Sequence, residues 1–430
     1  MSSTPKPQLT RAIGRWTLAA LVLNGVIGSG IFGLPDDIAR LVGPAAPKAY
    51  LLAALGIGII MAVFAEVASQ FRDAGGPYLY ARVAFGPFAG IQMGWFAWLV
   101  RLTSAAANAN LFVVYLGEFW PAATQQAPRA LLLTLMIWSF AAVNVRGVVA
   151  GAGTSNLFTA AKLLPLGLFI AVGLLLSRGT VVPAPIAAST DDWFQAALAL
   201  VFAYGGFEAA MMPMGEARDP RRDAPFALFT GLAAVTAIYT LVQVVTMYSV
   251  ENLAASQRPL ADAARTFLGP WGASFISVGA MLSTAGYLAG SFVNAPRLTY
   301  AFAERGDFPR VFAAVHDRFR TPHASILLFG ALVWGLALYG SFLWNAILSA
   351  VVRVFTYAIV CAALLQLRRQ KPQADSLRLP LGWLFALTGF GLCAVMAAQM
   401  NAEHAKIVAA LVAVATLNWL LVSKSPLLRT

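Results

Sequence analysis

Twelve long apolar runs joined by short polar links constrain this chain more than any other feature. They fall at about 14–38, 46–70, 87–116, 129–145, 153–176, 193–215, 226–248, 270–295, 324–340, 342–367, 380–400 and 405–422. A bilayer span needs roughly 20 mostly apolar residues. Lipid offers the backbone no water, so only helices or closed barrels cross it. The runs are continuous and lack the short alternating strands of a barrel. They predict an all-α polytopic membrane protein with about twelve transmembrane helices. Composition removes the soluble alternative: charged residues make up only 11% of the chain, against about 25% in a soluble domain.

The formal net charge of +12 would suggest nucleic acid in a soluble protein. In a membrane protein it has another source, because Lys and Arg collect in cytoplasmic loops. With the N-terminus inside and an even number of spans, twenty of the 30 basic residues lie inside and seven outside. The remaining three, Arg101, Lys162 and Arg353, lie within spans. Both termini are therefore expected in the cytoplasm, with no nucleic-acid partner. The organisation is one transmembrane domain, 14–422, with a short N-terminal tail, 1–13, and a short C-terminal tail, 423–430. No cleavable leader is expected, since Met1 to Arg15 has no short apolar core before a small-residue cleavage site. Cys361 and Cys393 sit in apolar runs, read as small core residues, and imply no disulfide framework.

Two runs differ from the rest. The first is interrupted by Gly25-Val26-Ile27-Gly28-Ser29-Gly30, the sixth by Tyr204-Gly205-Gly206-Phe207-Glu208 and then Pro213. Glycine weakens a helix by about 1 kcal/mol relative to alanine, so clustered glycines at bilayer depth mark places where a helix opens. Two Gly-interrupted spans, five apart, point to an inverted repeat with a midplane binding site. Spans 1–5 (14–176) and 6–10 (193–367) would then be the repeats, with helices 11–12 (380–422) appended. Unwinding at Gly28-Ser29-Gly30 frees N–H groups at a helix start, where the dipole favours an anion such as a carboxylate. The opened sixth segment frees carbonyls that can accept from an ammonium. Close helix packing is the competing reading of the same glycines. The formal G-x-G-x-x-G at Gly28–Gly33 lacks the strand, helix and acidic residue of a dinucleotide site.

Four stretches then carry a resemblance. Gly25 to Pro35 (GVIGSGIFGLP) resembles the first-helix motif of the amino acid–polyamine–organocation superfamily. Glu66 to Trp95 (EVASQFRDAGGPYLYARVAFGPFAGIQMGW) is similar to its signature around spans 2 and 3. Phe202 to Glu208 (FAYGGFE), with Glu216-Ala217-Arg218-Asp219-Pro220 after it, resembles its broken sixth helix and following loop. Asn294-Ala295-Pro296-Arg297 through Arg305-Gly306-Asp307-Phe308-Pro309 resembles the end of its eighth span. The resemblance implies a leucine-transporter-like fold with helices 1 and 6 broken, and secondary transport of amino acids by alternating access. Proton-coupled symport and exchange both fit, as do an amino acid/amine antiporter and a polyamine permease.

The implied substrate site comprises Val26, Ile27, Gly28, Ser29 and Gly30 with Phe202, Ala203, Gly205 and Gly206. By resemblance the carboxylate sits on the Gly28-Ser29-Gly30 backbone and the Ser29 hydroxyl. The ammonium would meet carbonyls of Val26, Phe202 and Gly205, with Phe202 closing over the substrate as an outer gate. The family's tryptophan at that place in some arginine exchangers is absent, which removes a cation–π grip on a guanidinium.

Ionisable groups at span depth are costly and usually functional. Lys162 lies where sodium-coupled relatives bind a cation, so it is read either as a proton-coupling group or as a charged tether of the unwound first helix. Arg101, after Trp98, falls where relatives line the side-chain pocket. There it would suit a substrate with a second carboxylate, whereas facing Glu208 or another partner it would say nothing of substrate. Glu208 either neutralises charge or caps the sixth break, with a direct substrate role as the alternative. Arg353 requires a partner or a water-filled cavity. Glu66, near the end of span 2, is expected to pair with a loop arginine.

His316, His323 and His404 are read as loop residues without ligand spacing, so no metal is expected. No G-x-x-x-x-G-K-[ST] or catalytic motif occurs, so neither ATP, another cofactor nor enzymatic activity is expected. The partners expected are an amino acid, protons and the lipid of a plasma membrane, in bacteria the inner membrane. The unit is read as a monomer or homodimer, with a channel or integral membrane enzyme as remote alternatives.

Overall fold

The computed structural model describes residues 13–71, 75–147, 152–176, 187–212, 216–370 and 376–423. Most of both tails, Pro213, and the basic residues Lys6, Arg11, Arg72, Arg178, Lys371, Lys424 and Arg429 lie outside these residues. Each apolar run coincides with helix. The first run forms α1 (Arg15–Val26), α2 (Gly30–Gly33) and α3 (Pro35–Val42). There follow α4 (Ala46–Ser69), α5 (Gly76–Phe85), α6 (Pro87–Leu116), α7 (Gln126–Val145) and α8 (Ala152–Leu176). The sixth run gives α9 (Thr190–Tyr204) and α10 (Phe207–Ala210). The remainder are α11 (Pro220–Ser249), α12 (Pro259–Glu304), α13 (His323–Tyr339), α14 (Phe342–Arg369), α15 (Gly382–Ala398) and α16 (Ala402–Ser423).

Among the described residues there is no strand, and eight helical stretches are long and apolar enough to cross a membrane. Three shorter apolar helices, Lys162–Leu176, His323–Tyr339 and Gly382–Ala398, accompany them. The chain is thus an all-α, multi-pass membrane protein.

Local chemistry sets several boundaries. The division between the ninth and tenth runs rests on Gly340 and Ser341. Gly340 caps α13, and the Ser341 hydroxyl accepts from the Trp344 N–H to start α14. In α12, Gly269 (φ 69°) followed by Pro270 kinks the helix where the eighth apolar run begins. Two helices lie outside the twelve runs or at their margin. Helix α3 opens with Pro35 at its first turn and Asp36 and Asp37 beside the helix N-terminus, where acidic groups are favoured. Helix α5 begins at Gly76-Pro77 in the link between the second and third runs. The histidine reading needs correction: His323 opens α13 and His404 is buried in α16. A helix start and a packed helix face hold them, not loops.

The bundle has a dry centre and a lipid-like rim. Helix α6 is 78% buried over its apolar window and α14 72%, against 22% for α7 and 17% for α16. Their contact explains this: α14 packs on α6, α4, α9 and α15. Small polar residues permit the approach, as in other helix pairs within lipid. Ser104 of α6 and Ser349 of α14 share a 2.9 Å hydrogen bond, and Asn108 and Asn110 cap carbonyls of their own helix. Both cysteines are buried and free, as their apolar setting suggested.

Candidate functional site

The first and sixth helices break side by side. Helix α1 ends with the Ile27 N–H on Leu23, and α2 starts only at Gly30. No described backbone group accepts from the N–H of Gly28, Ser29 or Gly30. The Ser29 hydroxyl is buried without a partner. In lipid each such group is costly unless something binds it. Helix α9 ends at Tyr204, and Gly206 turns the chain with φ 111°, a conformation glycine adopts without strain.

Glycine also brings the two breaks into contact. A methyl on Gly25 would stand 3.0 Å from the Gly206 oxygen, and one on Gly30 2.9 Å from the Ala203 Cα. A methyl on Gly206 would collide with the Gly25 carbonyl. The glycines therefore serve both readings, opening the helices and letting their backbones touch. Ile13 adds a connection, exchanging 3.0 and 2.9 Å backbone bonds with Glu216 and Arg218 after the sixth segment.

Tyr239 of α11 joins the breaks, and nothing in its apolar run marks it. Its hydroxyl lies 3.0 Å from the Val26 carbonyl and 3.2 Å from that of Ala203, and against the Gly28 N–H. The Val26 carbonyl is therefore occupied, and the Phe202 carbonyl accepts from Gly205. Of the three carbonyls matched to an ammonium, only that of Gly205 has no described donor. Phe202 is buried and packs edge-on against Phe342 at 6.1 Å.

Each break carries a side-chain charge of its own. Lys162 is buried, and its Nζ donates to the Asn24 and Ile27 carbonyls at 2.7 Å each. These are the acceptors that α1 leaves open when it stops, and a helix C-terminus favours a cation. At the sixth break the roles reverse. Glu208 accepts from the Gly206 N–H at 2.9 Å and pairs with Arg353 of α14, whose guanidinium lies on Gly205. Tyr357 donates to the same carboxylate at 3.3 Å. Arg353 thus has its partner, and Glu208 both caps the break and balances a charge.

Arg101 points elsewhere. It donates to the Ala97 carbonyl at 2.9 Å and meets the Met212 sulfur at 3.6 Å. Trp98 is apart from the glycine breaks, packed edge-on against Trp95 at 5.4 Å and near Phe308. Glu66 does pair with an arginine, but Arg368 closes the contact from the end of α14 rather than from a neighbouring loop. Its two 2.7 Å bonds form a fork, and the Leu379 N–H adds a third at 3.0 Å. At the same charge-rich end Arg82 and Tyr78 of α5 hold Asp307, the acid in the motif after α12. At the other end Glu118 meets Arg258 and Arg265.

No group of three metal-ligating side chains occurs among the described residues. An apolar groove of about 520 Å³ lies between α6, α14, α15 and α16, lined by Phe88, Phe96, Phe355 and Phe390, away from the breaks.

Comparison with known proteins places this architecture. The chain is 27% identical to an arginine/ornithine antiporter of Latilactobacillus sakei, over 83% of this chain and 76% of that one. It is 29% identical to an uncharacterized transporter of Mycobacterium tuberculosis, over 77% of this chain and 74% of the other. A transporter of Mycobacterium bovis matches to the same extent. The family model described as amino acid permease matches residues 13–421, nearly the whole chain. Its two broken helices and its sequence agree: the chain belongs to the amino acid permease family, a family of transporters and not of enzymes.

Proposed function

We propose that this protein is a secondary carrier that moves an amino acid across the cell membrane by alternating access. The observation that carries the reading is the paired break, with an unpartnered Ser29 hydroxyl and the N–H groups of Ser29 and Gly30 on one side and the Gly205 carbonyl on the other. The substrate carboxylate sits on the Ser29 and Gly30 N–H groups and the Ser29 hydroxyl, next to a Gly28 N–H that Tyr239 holds, and its ammonium on the Gly205 carbonyl. Phe202 against Phe342 closes the outer path. The Glu66–Arg368 and Arg82–Asp307 pairs close the inner one. Twelve crossings arranged as repeats 14–176 and 193–367, with helices 11–12 beside them, supply two halves that rock about this point. The excess of basic residues in alternate loops supports two cytoplasmic termini. The bacterial relatives support the inner membrane.

Lys162 supports a coupling role as well as a structural one. Its ammonium fixes the carbonyl side of the first break, so loss of its proton removes the charge that holds the end of α1 and loosens it. Proton-coupled symport follows if that loosening occurs in each cycle, and plain exchange if the ammonium stays. The relative named as an antiporter favours exchange.

Purified protein in liposomes decides between these. Saturable uptake of labelled amino acids, accelerated by unlabelled amino acid inside, is expected of a carrier. Linear flux would indicate a channel, and no flux for any amino acid would sink the proposal. With an imposed proton gradient, Lys162→Ala is expected to abolish accumulation while sparing exchange. Unchanged pH dependence in that variant would remove Lys162 from coupling.

A further inference from the structure

Helix α7 stands on the rim of the bundle and turns an apolar stripe outward. Leu131, Leu135 and Val143 are all exposed, and their spacing puts them on one face. The helix has 20 residues, about 30 Å at helical rise, which matches the thickness of a hydrocarbon core. Arg146 follows as its C-terminal cap, three residues beyond Val143 on the same face. It is exposed, and the length of α7 sets it at the level of lipid headgroups.

The loop from α12 to α13 brings two more arginines to this place. The Thr321 hydroxyl donates to the Val145 carbonyl at 2.7 Å, and a methyl on Gly147 would stand 3.5 Å from the Phe319 oxygen. Arg318 and Arg320, on either side of Phe319, are exposed and are carried beside Arg146 by these contacts. His316 fixes the loop. Its Nδ1 accepts from the Arg318 and Phe319 N–H groups at 3.2 and 3.4 Å, and its carbonyl from the Arg320 N–H at 2.8 Å. Arg320 is held at φ 55°, a left-handed conformation that costs any residue with a side chain. Among the described residues no carboxylate pairs with Arg146, Arg318 or Arg320. Asp317, the one acid between Pro309 and Pro322, is exposed and pairs with none of them.

We infer that Arg146, Arg318 and Arg320 form a binding site for the headgroup phosphate of an anionic phospholipid. Arginine keeps its charge in proteins, and a guanidinium fork matches phosphate oxygens in pairs. A basic cluster at the membrane surface is drawn to an anionic leaflet by about 1 kcal/mol per arginine. A free anion would meet the same charges, but the exposed stripe of α7 next to them offers acyl chains an apolar bed. The occupant is therefore the lipid. Its binding is independent of which solute the protein carries.

Native mass spectrometry of the full chain in detergent, titrated with dioleoylphosphatidylglycerol, reads the Kd of the tightest lipid. That lipid is expected to bind at least about tenfold tighter than dioleoylphosphatidylcholine, the worth of one charged hydrogen bond. Arg146→Gln, Arg318→Gln and Arg320→Gln together should weaken phosphatidylglycerol about tenfold or more and leave phosphatidylcholine unchanged. Removing three other exposed arginines, by Arg221→Gln, Arg222→Gln and Arg369→Gln, should change its Kd about twofold or less, as expected of scattered surface charges. Equal losses in the two triple variants would mean a diffuse basic surface and overturn the inference. Equal binding of the two lipids would do the same. Displacement of phosphatidylglycerol by millimolar inorganic phosphate would mark a free-anion site and overturn it too. Should the first triple variant fail to fold, Arg146→Gln and Arg318→Gln are tested singly. Each should then weaken phosphatidylglycerol about threefold, and no change in either would overturn the inference.

Discussion

The two broken helices solve one problem with opposite charges. At the first break the orphaned groups are carbonyls, and a cation from α8, Lys162, binds two of them. At the sixth the group bound is an N–H, and an anion two residues on, Glu208, accepts from it. The first device leaves the N–H groups of Ser29 and Gly30 and the Ser29 hydroxyl without a described partner. The second is closed by Arg353 and Tyr357. The first break is thus the receptive one, and the sixth is the braced one against which it works.

The comparison breaks most completely at Arg353. Arg353→Ala leaves Glu208, 15% exposed and still bonded to Gly206 and Tyr357, without its counter-charge and is expected to cost about 3 kcal/mol. Thermal unfolding in detergent should fall accordingly, and Arg353→Met with Glu208→Gln should recover much of the loss. No recovery would mean that the pair is not the brace. Gly206→Ala comes next. Its φ of 111° and the Gly25 carbonyl both oppose a methyl group, and a backbone held in such a region costs about 1–3 kcal/mol. Wild-type stability in this variant would show that the two breaks do not touch.

Lys162→Ala removes the donor to the buried Ile27 carbonyl and to the part-buried Asn24 carbonyl, about 2 kcal/mol of stability, while leaving the sixth break untouched. A stability loss shared equally by Lys162→Ala and Glu208→Gln, with no difference in transport, would erase the distinction between receptive and braced. Tyr239→Phe removes a hydroxyl that contacts both breaks and should cost about 1 kcal/mol. Its diagnostic effect is on transport rate, because the breaks lose their shared link. Far from either, Arg40→Ala severs a pair with Asp37 whose arginine is 51% exposed. Such pairs contribute about 0–1 kcal/mol, so both unfolding and uptake should be nearly unchanged.

Much of this was legible from residues in line. Apolar length fixes helices in lipid because the backbone has no other way to satisfy itself, and every run became helix. The breaks were legible for a local reason, glycine's cost in a helix, and Ser29, Gly205 and Gly206 stand where those residues implied. Lys162 at the first break was legible as a charge without a surface to go to.

The partners were not. Glu208 and Arg353 are 145 residues apart, Glu66 and Arg368 302, and such pairs exist only once helices pack. Tyr239 was invisible because a tyrosine in an apolar run reads as core until its hydroxyl has neighbours. Likewise, a free carbonyl at Val26 or Phe202 could be expected from a broken helix, but only the folded chain filled it with Tyr239 or Gly205. The sequence alone determined that this protein crosses the membrane many times and where two of its helices open, since both follow from local hydrophobicity and backbone entropy. The tertiary structure decided which charges meet, because an ion's balance depends on distances that no spacing along the chain encodes.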